Sequence, residues 1–335
     1  MSSKGHKQDQ INSLIKLFSN NQLLEALDAS NSLIKEFPND SQLLNIIGAC
    51  YAGIGELNLA IENYEKSIKI NSKYAQAHFN LGSVFQDLNS LDLAVRSYKS
   101  ATIINPEYAE AHNNLGVIFQ SLDEHDLAIK SYEKAIEIKP DYVEALYSLG
   151  VTLQSLDQFD AAVKIFEKVI FIKPNFFELH NNLGVLMQKL GYFDKAVKHY
   201  EKALAIKPDF SNAFNNLGIA YHELGHYDNS LKNFQRAILL NPIYVEAHSN
   251  LGDMLHEFNK LDAAIVSYVK VLSMEPDNVE VNNNLGVVYQ KLNQLNDAIS
   301  CYRRVLFIDP DHLEGQYNLG YALQGLNQFN EAIVY

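Results

Sequence analysis

The sequence is poor in residues that several classes of protein depend on. Its 335 residues include only two cysteines, Cys50 and Cys301, and 27 basic side chains against 40 acidic ones. Cysteines this far apart argue against a disulfide and fit a reducing compartment. The net charge of −13 argues against nucleic-acid binding, which relies on clustered Lys and Arg. These deficits indicate a cytoplasmic protein that does not bind nucleic acid.

Segments that would direct the chain to or across a membrane are also missing. No run of about 18 apolar residues occurs, the length that a transmembrane helix needs. The first ten residues, MSSKGHKQDQ, are polar and lack the apolar core of a signal peptide. No glycine-rich phosphate loop, nucleophile elbow or catalytic carboxylate pair interrupts the pattern described below. We therefore expect no membrane association, no cofactor and no catalytic residue in this chain.

What the sequence does have is a period of 34 residues. All eight prolines share one phase of it: Pro38, Pro106, Pro140, Pro174, Pro208, Pro242, Pro276 and Pro310. With Ser41 as position 1, eight full repeats tile residues 41–312 without insertion or deletion, and position 32 is proline in all of them except the first, which has Ser72. A fixed period of this length indicates an array of one small supersecondary unit.

Four other positions define that unit. Position 8 is glycine from Gly48 to Gly320, position 20 is alanine or serine, and position 24 is tyrosine or phenylalanine. Small residues at positions 8 and 20 let two helices approach closely, and the ring fills the space beside them. Position 15 is Gly, Asn or Asp, which tolerate turn conformations. Each repeat is predicted as helix, turn, helix and a break at proline. Capping boxes are predicted at Asp141 with Glu144, Asp277 with Glu280, and Asp311 with Glu314.

This pattern resembles the tetratricopeptide repeat (TPR) family, from about Gln8 to the end of the chain. The resemblance implies an all-α solenoid of about nineteen helices, in antiparallel pairs that wind into a right-handed superhelix. We expect a disordered segment at residues 1–6, a degenerate first repeat at 7–40, full repeats at 41–312 and a truncated repeat at 313–335. In the first repeat Leu14 replaces the glycine and Ser30 the aromatic residue. Because the last second helix stops at Tyr335 without a polar cap, the sequence suggests a piece of a longer chain.

In this family the first helix of each repeat lines a concave groove, with positions 2, 5, 6, 9, 12 and 13 facing inward. Position 6 is mostly Asn and position 12 mostly Gln, which makes two amide ladders. An amide offers a donor and an acceptor, as a peptide backbone does. The candidate peptide-binding residues are Asn80, Asn114, Asn182, Asn216, Asn250, Asn284, Asn318, Gln86, Gln120, Gln154, Gln188, Gln290 and Gln324.

Two interpretations of these ladders remain open. They can bind an extended peptide without reading its side chains, or they can serve contacts between helices. A similar ladder lies in the superhelical arm of the O-linked N-acetylglucosamine transferases, where it holds the backbone of protein substrates. Under the binding interpretation, replacing Asn182, Asn216, Asn250 and Asn284 by alanine weakens peptide binding and changes the fold little.

The groove positions lack basic residues. Positions 2, 5, 6 and 9 carry no Lys or Arg in residues 41–335, so the basic clamp with which some TPR domains grip acidic C-termini is absent. Position 2 instead carries Glu110, Glu144, Glu246, Glu280 and Glu314. The expected partners are therefore protein or peptide segments that are neutral or basic rather than acidic. The alternative is that these glutamates only cap helix starts.

Histidines form two patterns, and neither predicts a metal site. Residues 222–226 read His-Glu-Leu-Gly-His, the order found in zinc proteases, whose chemistry needs both imidazoles on one unbroken helix. Gly225 is the turn residue at position 15, so His226 is predicted to lie beyond the helix end. Four other histidines, His78, His112, His180 and His248, fall at position 4, a packing position.

Three functions fit these observations. The first is a non-catalytic scaffold that binds extended peptides in the amide-lined groove. The second is the substrate-recruiting arm of a larger enzyme, with a catalytic domain beyond residue 335. A glycosyltransferase like the O-linked N-acetylglucosamine transferases is favoured over a sulfotransferase or an oxygenase. The third is a structural subunit of an assembly that uses the convex face.

Overall fold

The computed structural model describes residues 3–334, which contain helices and no strand. The chain divides into two compact units between Lys173 and Pro174. The helices of the first unit are α1 (Ser3–Ser19), α2 (Leu23–Glu36), α3 (Ser41–Gly53), α4 (Leu57–Ile70), α5 (Ala75–Asp87), α6 (Leu91–Ile104), α7 (Ala109–Ser121), α8 (His125–Ile138), α9 (Val143–Ser155) and α10 (Phe159–Ile172).

The second unit repeats the same alternation of helices. They are α11 (Phe177–Lys189), α12 (Phe193–Ile206), α13 (Ser211–Glu223), α14 (Tyr227–Leu240), α15 (Val245–Glu257), α16 (Leu261–Met274), α17 (Val279–Lys291), α18 (Leu295–Ile308), α19 (Leu313–Gly325) and the short α20 (Phe329–Ala332). Within each unit consecutive helices pack against each other. The predicted all-α array of antiparallel helix pairs is confirmed.

The two helices of each pair are held together by the glycine at position 8 and the ring at position 24. A Cβ atom added to Gly286 would lie 2.5 Å from Cε1 of Tyr302, and one added to Gly82 would lie 2.8 Å from Cδ1 of Tyr98. Only glycine leaves room for the ring at this separation. The rings of all eight full repeats are buried: Tyr64, Tyr98, Tyr132, Phe166, Tyr200, Phe234, Tyr268 and Tyr302.

The turn inside each pair is set by position 15, as predicted. The residue there has a positive φ in each repeat from the first to the last, 54° at Asn89 and 74° at Gly225 for example. Asn21 takes the same conformation in the first repeat, with a φ of 59°. Asparagine, aspartate and glycine adopt this left-handed conformation at the lowest cost. The backbone then returns at once into the second helix, which brings the paired helices side by side.

The three predicted capping boxes are wrong. Helix α9 begins one residue later than the prediction requires, after Tyr142, and it has no side-chain cap. Helix α17 is capped by Asn278, which accepts a hydrogen bond from the Val281 amide. In α19 the His312 ring caps the Gly315 amide. The reason is that the turn after each proline takes up one further residue, so the aspartate lies in the turn and not at the cap.

The N-terminal repeat differs from the prediction at its start. Helix α1 begins at Ser3, so residues 3–6, for which we expected disorder, are helical; Met1 and Ser2 lie outside the described residues. Lys7 forms an ion pair with Asp40, which ties this helix to the start of α3. Leu14 and Ser30, which replace the glycine and the ring, are both buried.

The helices also show whether the chain could span a membrane and whether its two cysteines are reactive. None of the helices in residues 3–334 has the length and apolar character needed to cross a membrane. Cys50 and Cys301 are free thiols. Burial, followed by the charge of Asp297, raises the pKa of Cys301 to about 11, so this thiol is a weak nucleophile at neutral pH.

Candidate functional site

The asparagines at position 6 are half-buried, and in the first unit they donate to groups of the preceding repeat. Asn80 Nδ2 donates to Asn45 Oδ1 at 3.0 Å. Asn114 Nδ2 donates to the Tyr98 hydroxyl at 3.1 Å, because Phe79 stands where Asn45 stands one repeat earlier. One N–H of each amide is therefore committed to the fold.

In the second unit the same bond recurs between asparagines 35 residues apart. Asn216 donates to Asn181, Asn250 to Asn215 and Asn318 to Asn283, at 3.0, 3.0 and 3.1 Å. The three accepting asparagines, at position 5, are buried. We call this contact the amide bridge; it joins position 5 of one repeat to position 6 of the next.

The amide bridge was missed by the sequence analysis, although the signal is present. It requires Asn at position 5 of one repeat and Asn 35 residues later, at position 6 of the next repeat. A comparison of equivalent positions, which are 34 residues apart, does not reveal this pair. Asn216, Asn250 and Asn284 each donate to a residue of the preceding repeat. Replacing them by alanine is therefore expected to cost stability, in contrast to the small change of fold expected from the sequence.

At the step from α7 to α9 the acceptor of an amide bridge is present and its donor is absent. Asn113 is buried, and its Oδ1 has no hydrogen-bond partner, because position 6 of the next repeat is Ser148 and not asparagine. A buried acceptor without a donor costs free energy. This is therefore a local weak point of the first unit.

Ser148→Asn is expected to raise the free energy of unfolding by about 1 kcal/mol, because it supplies the missing donor to Asn113. Urea denaturation of both proteins measures the change. Ser148→Asp is the matched control, since it has the same shape but no N–H, and it should give no gain. Equal stability of the Asn and Asp variants would show that the bridge does not form here.

The glutamines at position 12 use their oxygen rather than their nitrogen within the fold. The Tyr98, Tyr132 and Tyr302 hydroxyls donate to Gln86, Gln120 and Gln290 at 2.9, 2.8 and 2.9 Å, and Tyr200 donates to Gln188. Burial raises the pKa of Tyr132 to about 12, so this hydroxyl remains a donor at neutral pH. The Nε2 groups of Gln86, Gln120 and Gln290 have no hydrogen bond to any described residue.

The other two predicted glutamines, Gln154 and Gln324, do not accept a hydrogen bond from any described tyrosine. Gln154 is half-buried, and its repeat carries Phe166 at position 24, which has no hydroxyl to donate. Gln324 is exposed on α19. The position-2 glutamates are also exposed, and Glu178 shares that position with the five predicted ones. They lie in the first turns of their helices, where the helix dipole also stabilises a carboxylate.

The His-Glu-Leu-Gly-His motif is interrupted by the end of a helix, as predicted. Helix α13 ends at Glu223, and His226 precedes α14. His222 Nε2 donates to Glu257 Oε2 at 2.7 Å, so this ring pairs with the next repeat. Across residues 3–334 no group of three His, Cys, Asp or Glu side chains could hold a metal ion.

The position-4 histidines pack against the loop before their own helix. The Nε2 atoms of His112, His180 and His248 donate to the carbonyls of Pro106, Pro174 and Pro242 at 3.1, 3.1 and 3.2 Å. His78 makes the same bond to Ser72 at 3.2 Å. These rings are structural.

Acid is expected to destabilise the second unit through His180 and His199, whose Nδ1 atoms lie 3.4 Å apart. Burial, then the charges of His180 and Lys202, lowers the pKa of His199 from 6.5 to about 4. A pKa lowered by folding means that the unfolded chain takes up more protons, so stability is full above 6.5 and falls as the pH drops toward 4. Urea denaturation across this range measures the loss. His199→Gln should flatten the profile, and an unchanged profile would contradict this assignment.

Comparison with protein families identifies the repeat. A family model described as "Tetratricopeptide repeat" matches residues 109–142, 211–244 and 279–312, each of them one full repeat. A model described as "TPR repeat" matches residues 50–89, 85–123, 189–225 and 252–293, and another "Tetratricopeptide repeat" model matches residues 131–164. Together these matches cover more than half of the chain. A search of curated proteins gave no significant match.

Solved structures of TPR proteins share the fold. The C-terminal part of a TPR repeat-containing protein from Cytophaga hutchinsonii aligns with a TM-score of 0.60 and 20% identity, over 72% of this chain and 99% of that one. YrrB, described as a TPR protein with an unusual peptide-binding site, aligns with a TM-score of 0.52 and 22% identity, over 56% of this chain and 96% of that one. The Cut9–Hcn1 hetero-tetramer of the APC/C aligns at 0.54 and 18% over 91% and 60%. Repeat length, the buried glycine–ring pairs and the family matches agree, and the chain belongs to the tetratricopeptide repeat family.

Proposed function

We propose that the chain is a protein-interaction scaffold that binds extended peptide segments along its first helices. The observation that carries the proposal is that the side-chain amides of several position-12 glutamines are fixed at their oxygen and unbonded at their nitrogen within residues 3–334. Gln86 and Gln120 are each fixed by a tyrosine hydroxyl and still have an Nε2 group without a partner among the described residues. Fixed donors at regular spacing suit the carbonyls of an extended backbone, because little side-chain entropy is lost on binding.

The asparagines contribute the second half of the proposed contact. Their amide bridges hold one N–H in place, which sets the orientation of the remaining groups. An extended peptide rises about 3.3 Å per residue, and packed helices lie about 8–10 Å apart. Each repeat then matches about three peptide residues. Each bond is worth about 1 kcal/mol net, so affinity increases with the number of repeats engaged.

The charge of the first helices favours a peptide partner that is neutral or basic. The position-2 glutamates are exposed along the first helices, and positions 2, 5, 6 and 9 carry no basic residue. YrrB, which shares the fold, is described as having a peptide-binding site. This supports peptide binding as a use of the fold.

The proposal is tested by removing the glutamine donors and keeping their contact with tyrosine. In Gln86→Glu/Gln120→Glu the carboxylate still accepts from Tyr98 and Tyr132 but offers no N–H. We expect affinity for a fluorescein-labelled neutral peptide of Ser, Thr and Gly to fall about thirtyfold, as for two bonds of about 1 kcal/mol. Fluorescence anisotropy measures this affinity.

The matched control makes the same chemical change outside the groove. Asn58 and Gln158 are exposed, Asn58 in α4 and Gln158 just before α10, and Asn58→Asp/Gln158→Glu should leave the affinity unchanged. Equal losses in the two variants would show a general charge effect. An unchanged affinity in Gln86→Glu/Gln120→Glu would show that these glutamines serve only the fold and do not bind the peptide.

A further inference from the structure

One stretch of groove in the second unit departs from the repeat pattern in its charge. Position 9 is uncharged in every repeat except the one that begins at Val245, where it is Asp253. Position 13 is Glu223 in α13 and Glu257 in α15, and it changes to Lys291 in α17. Three carboxylates are thus concentrated on two neighbouring first helices.

These three carboxylates line a cleft of about 210 Å³ formed by α13, α14 and α15. The base of the cleft is apolar and consists of Ile219, Phe234 and Met254. Phe234 and Met254 are buried, so their positions are fixed by the core. The cleft combines an apolar floor with an acidic rim.

The Asp253 carboxylate is held in one orientation by two donors. Its Oδ1 accepts from the Tyr268 hydroxyl at 2.7 Å and from Asn284 Nδ2 at 3.1 Å. In other repeats such donors bond to the asparagine at position 5 and the glutamine at position 12, but here Ser249 and His256 stand at those positions. Asp253 therefore replaces both acceptors with one oxygen. Its Oδ2 accepts no hydrogen bond from any residue in the described part of the chain.

The other groups of the cleft connect it to the proposed peptide path. Glu257 Oε2 accepts from His222 Nε2 at 2.7 Å, which fixes the second carboxylate and leaves Oε1 to a ligand. Asn250, one of the position-6 asparagines, also lines the cleft. A peptide backbone held at Asn250 would place a neighbouring side chain at the opening of the cleft.

We propose that this cleft binds a lysine or arginine side chain of the peptide. Such a side chain has an apolar stem that suits the floor of Ile219, Phe234 and Met254, and a cationic head that suits the carboxylates of Asp253 and Glu257. The inference rests on the proposed peptide-binding function and adds the specificity of one subsite to it.

The test compares two peptides that differ only in charge. One is a fluorescein-labelled peptide of Ser, Thr and Gly with a central arginine, and the other carries citrulline, the neutral isostere, at that place. The wild-type chain should bind the arginine peptide about tenfold more tightly, the size of one charge-assisted hydrogen bond. Asp253→Asn keeps the Oδ1 acceptor for Tyr268 and Asn284, and it should bring the ratio close to one.

The control variant is Asp209→Asn, an exposed residue outside the cleft, which should keep the tenfold ratio. Equal affinity of the wild type for the two peptides would overturn the cleft while the groove proposal stands. So would an arginine preference that survives in Asp253→Asn. Failure of both peptides to bind would overturn the groove proposal and the cleft with it.

Discussion

Replacement of Tyr302 by alanine is expected to lower the free energy of unfolding by about 3–5 kcal/mol. The ring is fully buried, and it fills the space left by Gly286 between α17 and α18. Removing it leaves a cavity between α17 and α18. The two helices cannot move together to close it, because the turn at position 15 fixes their separation. Its hydroxyl donates to Gln290, so the substitution also frees the Gln290 side chain. Urea denaturation followed by circular dichroism measures the loss.

Two further variants separate the contributions to this contact. Tyr302→Phe keeps the ring and should cost only about 1 kcal/mol, the value of one hydrogen bond. Gly286→Ala keeps the tyrosine but places a Cβ 2.5 Å from its ring, and overpacking of this kind costs about 1–3 kcal/mol. If the alanine and phenylalanine variants of Tyr302 were equally stable, the ring would not be the packing element that holds the pair.

Loss of three amide bridges is expected to lower the free energy of unfolding by at least as much. The triple variant Asn216→Ala/Asn250→Ala/Asn318→Ala leaves three buried Oδ1 atoms without donors. Each costs roughly 1–3 kcal/mol, so the total is roughly 3–9 kcal/mol if the sites are independent. Thermal melting and urea denaturation measure the effect, and any affinity of this variant for peptides has to be read at a temperature where it is folded.

The pair of Asn181 and Asn216 provides the control for this prediction. Asn216→Ala alone strands the buried Asn181 amide, whereas adding Asn181→Leu replaces that acceptor with an apolar group of similar size. Exchange of both partners for apolar groups is nearly neutral, so the double variant should recover most of the stability. A double variant less stable than Asn216→Ala would show that the bond is not what the substitution removed.

Features that lie within one repeat could be predicted from the sequence. The glycine–ring contact and the turn at position 15 involve residues whose spacing and type are fixed by local geometry, and both are confirmed at Gly286 and Asn89. The break of the zinc-like motif at Gly225 followed from the same turn. The capping boxes failed because they depend on a shift of one residue in the loop, for which Asp141 gives no signal.

Features that join two repeats were harder to predict. The amide bridge links Asn181 to Asn216, and neither position is unusual when read alone. Ser249, Asp253 and His256 depart from the repeat pattern together. As a result Asp253 accepts the hydrogen bonds of Tyr268 and of Asn284 in the next repeat. Asn216 also shows why the ladder cannot be assigned to binding or packing from sequence, since one amide has enough hydrogen-bonding groups for both.

The amide bridge also bears on how such an array can grow during evolution. A repeat with asparagine at both positions 5 and 6, such as residues 211–244 with Asn215 and Asn216, carries the acceptor for its successor and the donor for its predecessor. A tandem duplicate of it would therefore bond to its own copy. Residues 143–176, with Tyr147 and Ser148 at those positions, lack the two asparagines that form this bond. Lengthening of the array by duplication is thus favoured from some repeats and disfavoured from others.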